Sequence, residues 1–116
     1  MVAFLDRRPL FHGHVLLVPV RHVVTLEDLP AAEVAPFFTT AQRLCRAVRE
    51  AADAPGTFVA ANNVVSQSVP HLHLHVVPRR PKDGLRGFFW PRTTYADDAQ
   101  RDAVAARIAE RLRAGA

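Results

Sequence analysis

Three histidines, His71, His73 and His75, alternate with the apolar residues Leu72, Leu74 and Val76. A helix would scatter such rings around its axis. A β-strand sorts them, because successive side chains point to opposite faces. The apolar members then enter a core while three imidazoles stand in a row on the other face, spaced by roughly 7 Å at a rise of about 3.4 Å per residue. Pro70 and Pro78 bracket the segment, as expected where ladder donors are not needed or the strand stops. A sheet does not need imidazoles to form, so the row asks for a chemical reason. Two are open from the row alone. His-x-His on a strand is a familiar source of metal ligands. Neutral imidazole is also a nucleophile and acid–base group near pH 7, and its protonated form holds phosphate oxygens.

The rest of the chain narrows the setting. Its 116 residues provide for one domain, 1–116, and one core. Apolar residues make up 49% and charged residues 22%, a globular rather than a disordered composition. The longest apolar runs, such as Val15 to Val20, are too short to span a bilayer, so no membrane partner is expected. The N-terminus lacks a basic-then-apolar leader, and Cys45, the sole cysteine, precludes an internal disulfide. A reducing, cytoplasmic location follows as the expectation. The net charge of +4 suits an anionic substrate, yet no nucleic-acid-binding module accompanies it.

Read in order, Val2 to Leu5 is a short strand, and Asp6-Arg7-Arg8-Pro9 the turn after it. Gly13 permits a tight backbone before His14. Val15 to Val18 is a second strand, covered on both faces. Thr25 to Pro30 reads as a capped turn. Val34, Phe37, Phe38, Ala41, Leu44, Cys45 and Val48 recur at steps of three and four, which predicts a long helix over about 32–52 with Pro36 near its first turn. Thr57 to Ala61 forms a strand antiparallel to the histidine strand. A last helix runs from about Asp97, its cap, to Arg113, with Val104, Ile108 and Leu112 as a thin apolar stripe. The outcome is an α+β domain: a largely antiparallel sheet, a long central helix and a C-terminal helix.

The order His-apolar-His-apolar-His-apolar-apolar, preceded by Gln67-Ser68, resembles the signature of the histidine-triad (HIT) family of nucleotide hydrolases and transferases. It is closest in style to the fragile-histidine-triad branch. Asp6-Arg7-Arg8-Pro9, Gly13-His14, Val15 to Pro19 and His22 resemble that family's other recurring segment at the same spacings. The resemblance implies that His73 is the nucleophile. It attacks the α-phosphorus of a nucleotide derivative and forms a nucleotidyl-histidine that water or another acceptor resolves. The backbone carbonyl of His71 fixes its tautomer, and His75 meets the phosphate oxygens. Gln67 and Ser68 hydrogen-bond the phosphate and leaving group, Asp6 holds the ribose hydroxyls, Asn63 contacts phosphate or ribose, and His14 lies beside the triad.

The resemblance further implies a homodimer across the long helix and a sheet edge. It implies no required cofactor and no bound metal, with Mg2+ as an aid to a polyphosphate substrate. Phe88, Phe89 and Trp90 serve either a base or a subunit interface, and the run Arg79, Arg80, Lys82, Arg86, Arg92 reads as a solvated loop. His12 and His22 read as surface residues. The chain departs from the family pattern in three places. Ser66 stands where a glycine usually precedes the glutamine, His12 stands where a proline is usual, and a segment that relatives carry before the first motif is expected to be absent. The competing readings are a non-catalytic nucleotide binder and a metalloprotein that uses the histidine row as ligands.

Overall fold

The computed structural model describes residues 1–86 and 91–115. The expected roles of Phe88, Phe89 and Trp90 therefore lie outside the described residues. The chain forms two compact units, Met1–Asp83 and Gly84–Ala116. The first unit holds a four-stranded sheet built from β1 (Val2–Leu5), β2 (Val15–Val18), β3 (Gly56–Ala60) and β4 (Leu74–Arg79), with helix α1 (Ala31–Ala51) between β2 and β3 in sequence. The strand order is β1-β2-β4-β3, and every neighbouring pair is antiparallel. The second unit contains α2 (Asp98–Gly115). Among the described residues, no helix is long and apolar enough to cross a membrane.

The alternation of the histidine row survives, but its ladder is shorter than expected. Leu72, Leu74 and Val76 are buried, while His71, His73 and His75 are half-buried on the other face. Regular pairing begins only at Leu74, where β4 meets Leu17 of β2. Before it, Leu72 N–H bonds the Val23 carbonyl and His71 N–H bonds that of Val69, so this stretch is stitched to loops instead of a strand. At the other end the strand runs through Pro78 to Arg79 rather than stopping at the proline. The ladder with β2 ends at Val76, two residues earlier, so β3 alone flanks Pro78.

Helix α1 lays Phe37 and Ala41 on a core shared with Leu17, Leu29, Leu72 and Leu74. Its apolar stripe is wider than its buried face, since Val34 and Phe38 stay exposed. Pro36 sits inside the helix, beyond its first turn, and its carbonyl accepts from the Thr40 hydroxyl. The turn at Leu26–Asp28 is capped as expected: the Asp28 carboxylate accepts from both the N–H and the hydroxyl of Thr25. In α2, Asp97 caps the first turn through the Gln100 N–H, but Ile108 and Leu112 are 58% and 71% exposed, so the stripe does not form a buried face. The arginine run is not simply solvated. Arg79 forms a two-point ion pair with Asp83, and the Arg80 guanidinium donates to the Ala52 carbonyl at the end of α1.

The loop before the histidines carries backbone strain. Val64 and Ser66 both lie in the left-handed region, at φ 68° and 61°. For residues with a Cβ this costs about 1–2 kcal/mol each. Ser66 occupies the very position where the family pattern has glycine, so the departure has a local price in conformation. Val64 is 72% exposed and contributes little packing. Val64→Gly is therefore expected to stabilise the protein by about 1 kcal/mol, a rise of a few degrees in thermal midpoint. A midpoint lowered by the full cost that glycine brings to an unstrained position, about 1 kcal/mol, would show that the position is not strained.

Candidate active site

Residues of β1, β2 and β4 and of the loops that lead into β2 and β4 bring the site together. Register places His75 between Leu16 of β2 and Ala60 of β3. The loop from Asp6 to His14 closes on itself: Asp6 N–H donates to the His14 carbonyl at 2.9 Å, and His14 N–H to that of Phe11 at 3.1 Å. Gly13 makes this closure possible, with φ at 101° and a position where a Cβ would sit 3.4 Å from the Pro78 ring. His14 is thereby turned inward, 2% exposed, against His75.

The hydrogen bonds fix which ring nitrogens carry protons. His73 Nδ1 lies 2.7 Å from the His71 carbonyl, which can only accept, so the proton is on Nδ1 and Nε2 carries the lone pair. His71 Nε2 lies 2.8 Å from the Pro19 carbonyl and must donate. Its Nδ1 therefore accepts from His22 Nδ1 at 3.1 Å. On the other side of His73, the ring of His75 stands with its centroid 5.1 Å away. His75 Nδ1 is 2.9 Å from His14 Nε2.

These groups face a cleft of about 440 Å³. His71, His73, His75, Asp6 and Ser68 supply its polar wall, and Phe4, Leu16, Val18 and Val69 its apolar one. That mixture, an apolar surface with a few converging polar groups, is what a small-molecule site needs. A larger groove of about 710 Å³ lies between α1 and the loop at Phe11 to Gly13, but its lining is mostly aliphatic and holds none of the triad. The chemistry points to the smaller cleft.

Residues 1–82 match the family model described as HIT domain. The chain belongs to the HIT family. An uncharacterised HIT-like protein of Mycobacterium tuberculosis is 42% identical over 86 residues, which span 72% of this chain and 60% of that one. The asymmetrical bis(5'-nucleosyl)-tetraphosphatase of Schizosaccharomyces pombe is 32% identical over 83 residues, 70% of this chain and 46% of that one. The match thus spans about half the length of these curated relatives. A crystal structure of a HIT family protein from Bacillus subtilis superposes with a TM-score of 0.80 at 30% identity, covering 94% of this chain and 79% of that chain. The α+β fold is that of the family.

Within this HIT domain the expected site residues divide into two groups. Asp6, Ser68, His71, His73 and His75 line the cleft, and His14 stands directly behind His75. Gln67 and Asn63 are engaged elsewhere. The Gln67 amide accepts from Val64 N–H and donates to the Val24 carbonyl at 2.6 Å, and the Asn63 side chain accepts from Leu26 N–H. Both act here as struts between the loops at 62–68 and 19–29. His22, read as a surface residue, is exposed but paired with His71 across 49 positions. Nothing in its local sequence announces that partner.

The metalloprotein reading meets a geometric obstacle. Among the described residues, the one trio of potential ligands that converges is Asp6, His14 and His75, not the row itself. A metal on His14 Nε2 would require the ring proton on Nδ1, yet Nδ1 lies 3.1 Å from the Leu10 N–H, which would then face another donor. An ion on His14 Nε2 would therefore cost the bond from Leu10 to His14.

Burial holds the pKa of both His14 and His75 below the ordinary 6.5. For His75 the neighbouring His14 and His73 add to the effect, while Asp6 opposes it at both. The unfolded chain therefore binds protons more readily than the folded one as pH falls through 6.5. Stability is expected to be full above that value and to decline below it, towards the lowered folded-state pKa values. Urea titrations at a series of pH values test this, with His14→Gln expected to flatten the acid slope.

Proposed function

We propose that this HIT domain cleaves nucleotide derivatives at the α-phosphate through a covalent nucleotidyl-His73. Its substrates are dinucleoside polyphosphates, nucleoside phosphoramidates or related adenylates. The observation that carries the reading is the 2.7 Å bond from His73 Nδ1 to the His71 carbonyl, which leaves Nε2 as an unprotonated nucleophile. Attack forms the Nε2–P bond and breaks the bond from the α-phosphorus to the leaving group. Water then adds at phosphorus and releases the nucleoside monophosphate. His75, with Ser68, faces the phosphate oxygens, and Asp6 accepts from the ribose hydroxyls. Such preorganised donors are where most of the rate enhancement in phosphoryl transfer arises. The phosphatase name of the fission-yeast relative supports the substrate class.

No metal is needed for these steps, and Mg2+ assists only by screening a polyphosphate. The protein acts as a homodimer through the outer edge of β3 and the neighbouring surface of α1, where Val59, Val34 and Phe38 are exposed. The deciding experiment is incubation with AMP phosphoramidate and with a diadenosine polyphosphate in chelated buffer, read by AMP release and by mass spectrometry of the quenched protein. AMP release with a transient nucleotidyl adduct on His73 is expected. Binding of AMP without turnover of either substrate would instead favour the non-catalytic binder.

A further inference from the structure

We infer that His14 is a positioning residue and not a proton shuttle: anchored by the main-chain N–H of Leu10, it locks His75 in the tautomer that carries its proton on Nε2. The tautomer follows from geometry alone, whereas its effect on turnover rests on the proposed nucleotide cleavage.

The anchor is a group that cannot titrate. Leu10 N–H donates to His14 Nδ1 at 3.1 Å, and a backbone amide is a donor at any accessible pH. His14 Nδ1 must therefore present its lone pair, and the ring's single proton must sit on Nε2. That Nε2 is 2.9 Å from His75 Nδ1, so His75 accepts there and keeps its own proton on Nε2. Asp6 reinforces the arrangement without sharing the proton. Its Oδ2 is 3.7 Å from His14 Nε2, too far for a hydrogen bond but close enough to favour a proton on that atom. Asp6 Oδ1 accepts from Arg8 N–H, and the bonds from Asp6 to His14 and from His14 to Phe11 hold the loop's shape. The orientation of His75 is thus set from the 6–14 loop, which joins β1 to β2, and not from its own strand.

The same chain of bonds cannot conduct a proton. If His75 gave its Nε2 proton to a leaving group, it could take the His14 proton at Nδ1. His14 would then be left as an imidazolate, because the Leu10 amide cannot give up its hydrogen. The relay ends at the amide. A proton lost from His75 must return from the cleft, by way of solvent or the attacking water.

The first test is 15N NMR of the wild-type protein with labelled histidine. The expected spectra show Nδ1 of both His14 and His75 as acceptor nitrogens and Nε2 of both as protonated. A proton on His75 Nδ1 would overturn the inference, whether or not the protein turns over any nucleotide. The second test separates holding from shuttling. His14→Gln supplies an amide that can accept and donate but cannot relay a proton, whereas His14→Ala supplies neither. With AMP phosphoramidate, His14→Ala should lower kcat by about a hundredfold, with KM little changed and His75 in mixed tautomers. His14→Gln should keep kcat within about tenfold of wild type and preserve the single His75 tautomer. A glutamine variant as slow as the alanine one, with His75 still protonated on Nε2, would show that a proton does pass through His14. Should the variants not fold, replacing the Leu10 amide by an ester, which exchanges the N–H donor for an oxygen that cannot donate, is expected to release the His75 tautomer in the same spectra, and an unchanged tautomer would count against the anchor. A wild-type protein with no turnover on either substrate would count against the nucleotide reading alone.

Discussion

His73→Ala is expected to lower the turnover of an AMP derivative by at least three orders of magnitude while leaving the fold and most of the AMP affinity in place. In the proposed two-step mechanism, deleting the nucleophile removes the covalent route entirely, which costs more than loss of a positioning or acid–base group. The side chain is half-buried and outside the hydrophobic core, so the substitution leaves no large cavity. Its two neighbours in the row provide an internal control. What His71 gives to His73 is a main-chain carbonyl, so His71→Ala keeps that acceptor. It loses the ring's bonds to Pro19 and His22, and its cost should be one to two orders smaller. Steady-state kinetics and a search for the nucleotidyl adduct check both variants. Retention of more than about a tenth of wild-type activity in His73→Ala would remove it as nucleophile, since loss of even an acid–base group typically costs about a hundredfold or more.

The unequal roles of these histidines show how far the sequence can be read. Alternation with Leu72, Leu74 and Val76 is a local, period-two signal, and it holds because burial of those three residues leaves one face for the rings. The strands at Val2–Leu5 and Val15–Val18 were legible instead as short apolar runs ended by turn residues, and the expected antiparallel pairing of β3 with β4 is present. Bonds between distant loops leave no such trace. Gln67 looks like a phosphate ligand in the motif, but its amide accepts from Val64 N–H and donates to the carbonyl of Val24, which lies 43 positions before Gln67. His22 meets His71 only because the loop after β2 runs alongside the stretch before β4. The Leu10 amide is invisible in any sequence, since every residue except proline has one. Elements follow from periodicity, and side chains on one strand follow from parity. The partners that decide a tautomer come from loops whose approach periodicity does not encode.

The long helix supplies the second large effect, because periodicity marks Phe37 and Phe38 alike while only one of them is structural. Phe37 is 1% exposed and belongs to the cluster with Leu17, Leu29, Leu72 and Leu74. Phe38 is 40% exposed and meets Phe37 edge-on, with ring centroids 5.5 Å apart. Adjacent helical residues differ by about 100° around the axis, so the sheet can cover one ring only in part when it covers the other fully. Phe37→Ala is expected to cost about 3–5 kcal/mol, from lost transfer energy and the cavity left behind. That is a large share of the roughly 5–15 kcal/mol that a domain of this kind commands. Phe38→Ala should cost about 1 kcal/mol, mostly the edge-on contact. Urea unfolding of the two variants measures the difference. The consequence reaches the site, because Leu72 and Leu74, which Phe37 covers, alternate with His71, His73 and His75 along one backbone. A Phe37→Ala protein that remains folded at low temperature should therefore show broadened imidazole resonances at His73, while Phe38→Ala leaves them sharp. Equal destabilisation by the two substitutions would mean that the sheet holds the rows without Phe37, and that the helix is not what fixes the histidines in place.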